Sequence, residues 1–399
     1  MAQKVYLVSF FILNALIPII AVDMPRGLAF APGLIGLVFF CLYPLTFKER
    51  PKISRNAFFL IAGILAVSSL SLLWAVEYET SLKQVKKLWM LLPPQILLIS
   101  LVCSFKKEQI QPYVHFFSYG VIAAACLLSF ELLSNGVIFN TIRGEALNTF
   151  VAPAEFNRGV SIMCFYSILA VAFLYTRYPY RFTPLFVAVP AFTVLCLTES
   201  QSSQLAIIVG ALFFFGFPYR SKIVWKSFTF VFLATIVAFP FLVQVLYQNF
   251  AEAIQNLPMM EKGYAGHRLE IWDAVSRYAM QSPLYGMGIE TTRTVTDFNS
   301  QQIFGEGVFI HPHNFVMQLW IELGSIGILL AIGCFYKLFS FLQKRCTPEQ
   351  RKILLPTIMM TIVPACLSFG MWQGWWIGVL FHLTAMCIVA RKLKTQPLS

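Results

Sequence analysis

Apolar runs separated by short charged interruptions repeat along nearly the whole chain. About 20 apolar residues are needed to cross a bilayer as a helix, and the runs predict about twelve crossings. The first half supplies Val5 to Val22, Leu28 to Phe47, Ala57 to Trp74, Leu88 to Phe105, Tyr113 to Leu133 and Gly159 to Thr176. The second half supplies Phe182 to Leu197, Gln204 to Phe217, Ser227 to Leu246, His313 to Phe341, Ile353 to Phe369 and Trp375 to Ala390. The seventh and eighth runs are short, so tilted or partly re-entrant helices are the alternative there. The first run lacks a small-residue cleavage site and therefore reads as a span, not a cleavable signal peptide.

Two polar stretches, Asn135 to Arg158 and Tyr247 to Pro312, are too long to be simple connections. Within the second, Leu269, Trp272, Val275 and Ala279 recur at helical spacing between His267 and Met280, which predicts an amphipathic helix lying on the membrane face. Pro283 should end it, and Gly286 and Gly288 then permit a tight turn. With no internal repeat, residues 1–399 read as one integral membrane domain into which residues 247–312 insert a large outer loop.

Composition and charge fit this all-α, polytopic reading. With 58% hydrophobic residues, 12% charged and a mean hydropathy of +0.71, the chain cannot be an ordinary soluble domain. Placing both termini in the cytoplasm puts most of the 30 lysines and arginines on that side, among them the runs Lys48 to Arg55, Arg220 to Lys226 and Lys337 to Lys352. The exception is Lys83, Lys86 and Lys87, spaced for one helical face and flanked by Glu77 and Glu79. The net charge of +12 is thus a product of topology, and no nucleic-acid partner is implied. The nine cysteines fall in spans or on the cytoplasmic side at spacings that fit no zinc site, which predicts free thiols.

Where the long outer loop meets a late span, the chain reads His313-Asn314, then Gly324 and Gly327. On a continuous helix His313 would lie within about 40° of both glycines, a titratable head on a stripe that another helix could approach. A helix N-terminus disfavours the imidazolium, so His313 should be largely neutral at pH 7 and able to accept a proton. The same pair also fits a plain polar cap at a membrane interface. The spacing resembles the signature of the O-antigen ligase and polymerase superfamily, of the type that joins surface polymer to lipid A core; its members transfer glycans from a polyprenyl diphosphate carrier.

The resemblance implies a glycosyltransferase-C-like architecture with a helical periplasmic loop, in the bacterial inner membrane, and metal-independent chemistry without a cofactor. It implies His313 as the catalytic residue. Gly266 to Leu269 looks like the family's Gly-x-Arg-Leu element, which makes Arg268 one donor diphosphate ligand; Arg158, at the start of a middle span, is the candidate for the other. An arginine fork beside free helix N–H groups suits diphosphate oxygens, although an arginine at a span end is also an ordinary interfacial anchor. Supporting candidates are Asn314, Arg143, Gln201 and His311. Many family members carry Thr-x-Thr/Ser-Arg after a middle span, whereas Thr198-Glu199-Ser200-Gln201 puts a neutral amide where that charge would be. His311-Pro312-His313 with Glu306 makes a poor metal set, and Glu306 or His311 would become the base if His313 bound phosphate instead. Glu131 and Glu322 are acids within spans, a costly placement that often marks function.

The implied reaction moves a glycan from an undecaprenyl diphosphate-linked donor to a sugar hydroxyl of a lipid A-core acceptor, amid membrane lipids. Direct attack by the hydroxyl predicts inversion. An O-antigen polymerase or a protein O-oligosaccharyltransferase would share the donor chemistry. A transporter or flippase is the competitor from another class, but it would show internal repeats and polar sites near the bilayer midplane instead of at its outer face.

Overall fold

Each of the twelve apolar runs folds as a helix. The computed structural model describes residues 1–255, 265–293 and 311–393. Among them the α-helices are α1 (Ala2–Asp23), α2 (Ala31–Phe47), α3 (Arg55–Leu70), α4 (Tyr78–Ser104), α5 (Lys107–Ile110), α6 (His115–Ser134), α7 (Val137–Arg143) and α8 (Asn157–Arg177). They continue as α9 (Leu185–Leu197), α10 (Gln201–Gly216), α11 (Lys222–Gln255), α12 (Ala265–Ala279), α13 (Phe315–Arg345), α14 (Pro348–Leu367) and α15 (Gly374–Lys392). Among the described residues eight helices are long and apolar enough to cross a membrane, namely α1, α3 with its following turn, α4, α6, α8, α11, α13 and α15, while α2, α9 and α10 are shorter apolar helices. The protein is therefore a multi-pass, all-α membrane protein.

Local sequence sets several of these boundaries. Ser54 caps α3 by accepting from the Ala57 N–H, and α14 opens on a reciprocal box between Thr347 and Gln350 with Pro348 in the first turn. Pro93 and Pro94 lie inside α4, which nevertheless continues for 27 residues. Of the spanning helices α8 is the most enclosed, 72% buried, and α11 the least, 17%. A helix that is apolar all round can serve in either place, because lipid and core are equally dry. Helix α8 is tied to its neighbours by a buried polar chain. Asn14 Nδ2 donates to the Phe10 carbonyl, so Asn14 Oδ1 is left to accept from His382 Nε2 at 3.0 Å, and His382 Nδ1 then accepts from the Tyr166 hydroxyl at 2.6 Å.

The outer segments differ from expectation in three ways. Helix α11 runs to Gln255, well past Leu246, because its apolar pattern continues into the loop. Helix α12 turns its apolar stripe to protein: Leu269, Ile271, Val275 and Ala279 are buried, with Ile271, Val275 and Ala279 in one core with Met317, Trp320 and Ile321 of α13. Burial against protein needs the same one-sided stripe as burial in lipid, so the pattern alone does not separate them. Glu131, finally, is a cap: its carboxylate accepts the N–H groups of Ile138 and Phe139 at 3.0 and 3.1 Å at the start of α7.

The predicted stripe from His313 to Gly327 is also corrected. His313 precedes the helix, and Gly324 breaks it, with φ 56° and ψ −149°. The break leaves carbonyls and N–H groups without helical partners, and the outer loop supplies them. Met287 and Gly288 N–H donate to the carbonyls of Ile321 and Glu322 at 2.9 Å, and Ser325 N–H donates to the Pro283 carbonyl at 2.8 Å. A Cβ on Gly324 would sit 2.7 Å from the backbone of Leu284, Tyr285 and Gly286, so this glycine admits a loop, not a helix. At Gly327 an added Cβ would meet Leu323 and Leu319 of its own helix.

Candidate active site

Asn314 begins α13, its Oδ1 accepting from the N–H groups of Val316 and Met317 at 2.9 and 3.1 Å. This satisfies two N–H groups that a helix start leaves open, and it accounts for the asparagine as a cap; its buried Nδ2 has no partner among the described residues. Immediately before it, His313 adopts a left-handed backbone, φ 53°, at a cost of about 1–2 kcal/mol for a residue with a Cβ. Flanking contacts hold it there. Trp272 Nε1 donates to the Pro312 carbonyl at 2.8 Å from α12, and His313 N–H donates to His311 Nδ1 at 3.3 Å.

The His313 ring is fixed from the other side by the loop between α14 and α15. Its Nδ1 lies 2.8 Å from the Ser368 carbonyl. A carbonyl only accepts, so Nδ1 carries the proton, and the neutral imidazole keeps its Nε2 lone pair for a substrate. Burial lowers the His313 pKa; the Ser368 hydrogen bond raises it, and the Arg268 charge lowers it again, for a net value below the ordinary one. A helix N-terminus alone predicts a neutral histidine, whereas the causes in the structure are desolvation and a neighbouring guanidinium.

His311 is buried with its ring 4.2 Å from that of His313, and its Nε2 lies 3.0 Å from Gln373 Nε2. Gln373 Oε1 accepts from Trp375 Nε1 at 3.0 Å, and the Arg158 guanidinium stands 5.6 Å from the Trp375 ring. Arg158 is thereby joined to the histidines through the Gln373-Trp375 segment, with Arg26 and Glu155 as its charged neighbours. Arg268 acts directly on His313. The two arginines flank the histidines by different routes. Arg143 is engaged elsewhere, 3.5 Å from Glu155 and over the Phe139 ring. Gln201 is exposed at the start of α10; the residue of that turn that reaches the site is Ser202, whose Oγ accepts from Ser368 Oγ at 2.7 Å. Glu306 lies outside the described residues.

Several site residues escaped the sequence reading. Ser368 falls at the end of one predicted span and Trp375 at the start of the next, with Gln373 between them; the sequence reading does not single out Arg26, and it groups Lys87 only with Lys83 and Lys86 as an outer basic face. Lys87 Nζ donates to the Trp372 carbonyl at 3.3 Å, at the same loop. The available signal was the density of glycine, glutamine and tryptophan in Phe369-Gly370-Met371-Trp372-Gln373-Gly374-Trp375, too polar for a span interior and too rich in indoles for a plain turn. Beside the site an apolar groove of about 580 Å³ starts at Phe315, Val316 and Cys366 and extends between α10 and α11 towards Phe217 and Ile223.

Residues 186–332, which hold Ser202, Arg268, His311, His313 and the break at Gly324, match the family model described as O-antigen ligase. Over these residues the chain is similar to the O-antigen ligases. It is 23% identical over 266 residues to a candidate polysaccharide ligase of Rickettsia conorii, an alignment that covers 65% of this chain and 62% of the relative. Similar proteins of Rickettsia felis and Rickettsia prowazekii are 23% and 22% identical, each over 65% of this chain and 63% of the relative. The chain thus spans less than two thirds of the length of these three relatives. Arg158 and the Ser368–Trp375 loop fall outside the O-antigen ligase match, and only the fold joins them to it.

Proposed function

We propose that this protein transfers a glycan from undecaprenyl diphosphate to a sugar hydroxyl of a lipid A-core acceptor, at the periplasmic face of the inner membrane. The observation that carries the reading is a neutral, fixed His313 beside the Arg268 guanidinium, with no partner on its Nε2 among the described residues. Nε2 takes the proton of the attacking hydroxyl, while the positive charge stabilises the departing diphosphate. Arg158, on the far side of the Gln373-Trp375 segment, is the second diphosphate ligand. Attack by the hydroxyl on the face opposite the leaving diphosphate inverts the transferred sugar. The apolar groove at Phe315 and Val316 is suited to an isoprenoid chain, with the diphosphate at its polar end.

The test is His313→Ala in a strain lacking the native gene, read as the lipopolysaccharide profile. Loss of glycan-capped lipopolysaccharide with accumulation of the lipid-linked donor is the expected result. Capped lipopolysaccharide at the parent level would remove His313 from the chemistry. Short lipid-linked glycans in place of uncapped lipid A core would indicate a polymerase.

A further inference from the structure

Glu322 is a fully buried carboxylate on α13, two residues before the break at Gly324. Donors from three parts of the chain converge on it. Trp372 Nε1 meets Oε2 at 2.5 Å, and Thr292 Oγ1 and Gln318 Nε2 meet Oε1 at 3.0 Å each. The directions are fixed by chemistry: an indole N–H only donates, and Gln318 Oε1 already accepts the Met371 N–H at 2.8 Å, so its NH₂ must face Glu322. The Glu290 backbone adds a further hydrogen bond. The Glu322 main-chain carbonyl accepts the Gly288 N–H at 2.9 Å, so the 288–292 segment holds this residue by backbone and side chain alike. One of the two loops that meet at the carboxyl group holds the site directly, since the loop carrying Met371 and Trp372 also carries Ser368, which holds His313 Nδ1, and Gln373, which meets His311.

We propose that Glu322 is a positioning residue, which pins the Glu290–Thr292 segment and the Met371–Trp372 segment to one carboxyl group and so sets the orientation of the His313 imidazole. The inference rests on His313 being the base of the proposed transfer. An amide cannot serve both fixed donors. Its NH₂ would face either the Trp372 N–H or the Gln318 NH₂, neither of which can accept while Gln318 Oε1 holds the Met371 N–H, so one of these contacts would part while the volume stayed constant.

The experiment compares Glu322→Gln, Trp372→Phe and His313→Ala in the full-length protein in lipid nanodiscs, with a polyprenyl diphosphate-linked oligosaccharide and lipid A-core glycolipid. Glu322→Gln should lower kcat about tenfold or more, because a base displaced by an ångström loses much of its effect. The donor KM should stay within about twofold of the parent. The acid limb of kcat should move to lower pH, since loosening the Ser368 hydrogen bond removes the contact that favours the imidazolium. Trp372→Phe, which leaves the carboxylate and its other donors in place, should shift both quantities in the same direction by less, and it carries the test alone if Glu322→Gln does not fold. Parent turnover, a KM that rises in step with the loss, or reduced kcat with an unmoved acid limb would overturn the inference. An inactive His313→Ala beside a fully active Glu322→Gln refutes only the positioning role; an active His313→Ala refutes that role and the base assignment together.

Discussion

The protonation of His313 follows from one acceptor and one charge. The Ser368 carbonyl fixes the proton on Nδ1, and burial with the Arg268 charge keeps the ring neutral below the ordinary histidine range. The sign is definite. A base whose pKa is lowered stays competent as pH falls through 6.5 and fails only at the lower value, so kcat should hold to a more acid pH than an exposed histidine would allow. Arg268→Gln removes one of the lowering causes, and the acid limb should move upward, towards 6.5, while the donor KM rises. The kcat–pH profile at saturating donor checks this. A limb that stays in place would mean that the titrating group is not His313 beside Arg268. The catalytic candidate itself was legible from a histidine-asparagine pair at a span start. Its tautomer was not, because Ser368 lies 55 residues away and only the fold brings its carbonyl to Nδ1.

At the scale of elements, α13 is the informative case, since its glycines were legible as a spacing but not as a shape. A run of helix-forming residues around Gly324 reads as continuous, and nothing local announces a break. The cause is distant: residues 283–288 supply the hydrogen bonds that a broken helix requires, and their own turn needs positive φ at Gly286 and Gly288. Gly324→Ala should therefore be severe. Its φ of 56° with ψ of −149° lies in a region reserved for glycine, and the new Cβ would stand 2.7 Å from the loop backbone. A loss of about 2 kcal/mol or more is expected, seen as a lower thermal midpoint in detergent and faster proteolysis of the outer loop. Gly333→Ala in the same helix meets nothing within 4 Å and should be neutral or slightly stabilising. Equal effects of the two substitutions would show that α13 is not broken at Gly324 in the membrane.

The whole molecule has two unlike ends, and the orientation in the membrane can be argued from what each end holds. Lys52 N–H donates to Ser104 Oγ at 3.0 Å, and Lys392 Nζ donates to the carbonyls of Val102 and Cys103 at 2.8 and 2.7 Å, so the Lys48–Arg55 loop, the end of α4 and the end of α15 meet at one end. Val76 N–H donates to the Met287 carbonyl at 3.0 Å, and Ser81 Oγ to that of Ile289 at 2.6 Å, which puts the end of α3 with the outer loop and the site. The positive-inside rule predicts the cytoplasm for the basic end, because lysine and arginine near span ends are retained there. Exposed positions on the two ends should then respond oppositely to a membrane-impermeant maleimide. Glu145→Cys, in the loop after α7, should be labelled in cells whose outer membrane alone is permeabilised, and Glu49→Cys only after the inner membrane is opened. The parent chain, with its nine native thiols, gives the background. Labelling of Glu49→Cys in the first condition would invert the protein and move the site to the cytoplasm, where a glycan already exported on its carrier could not reach it.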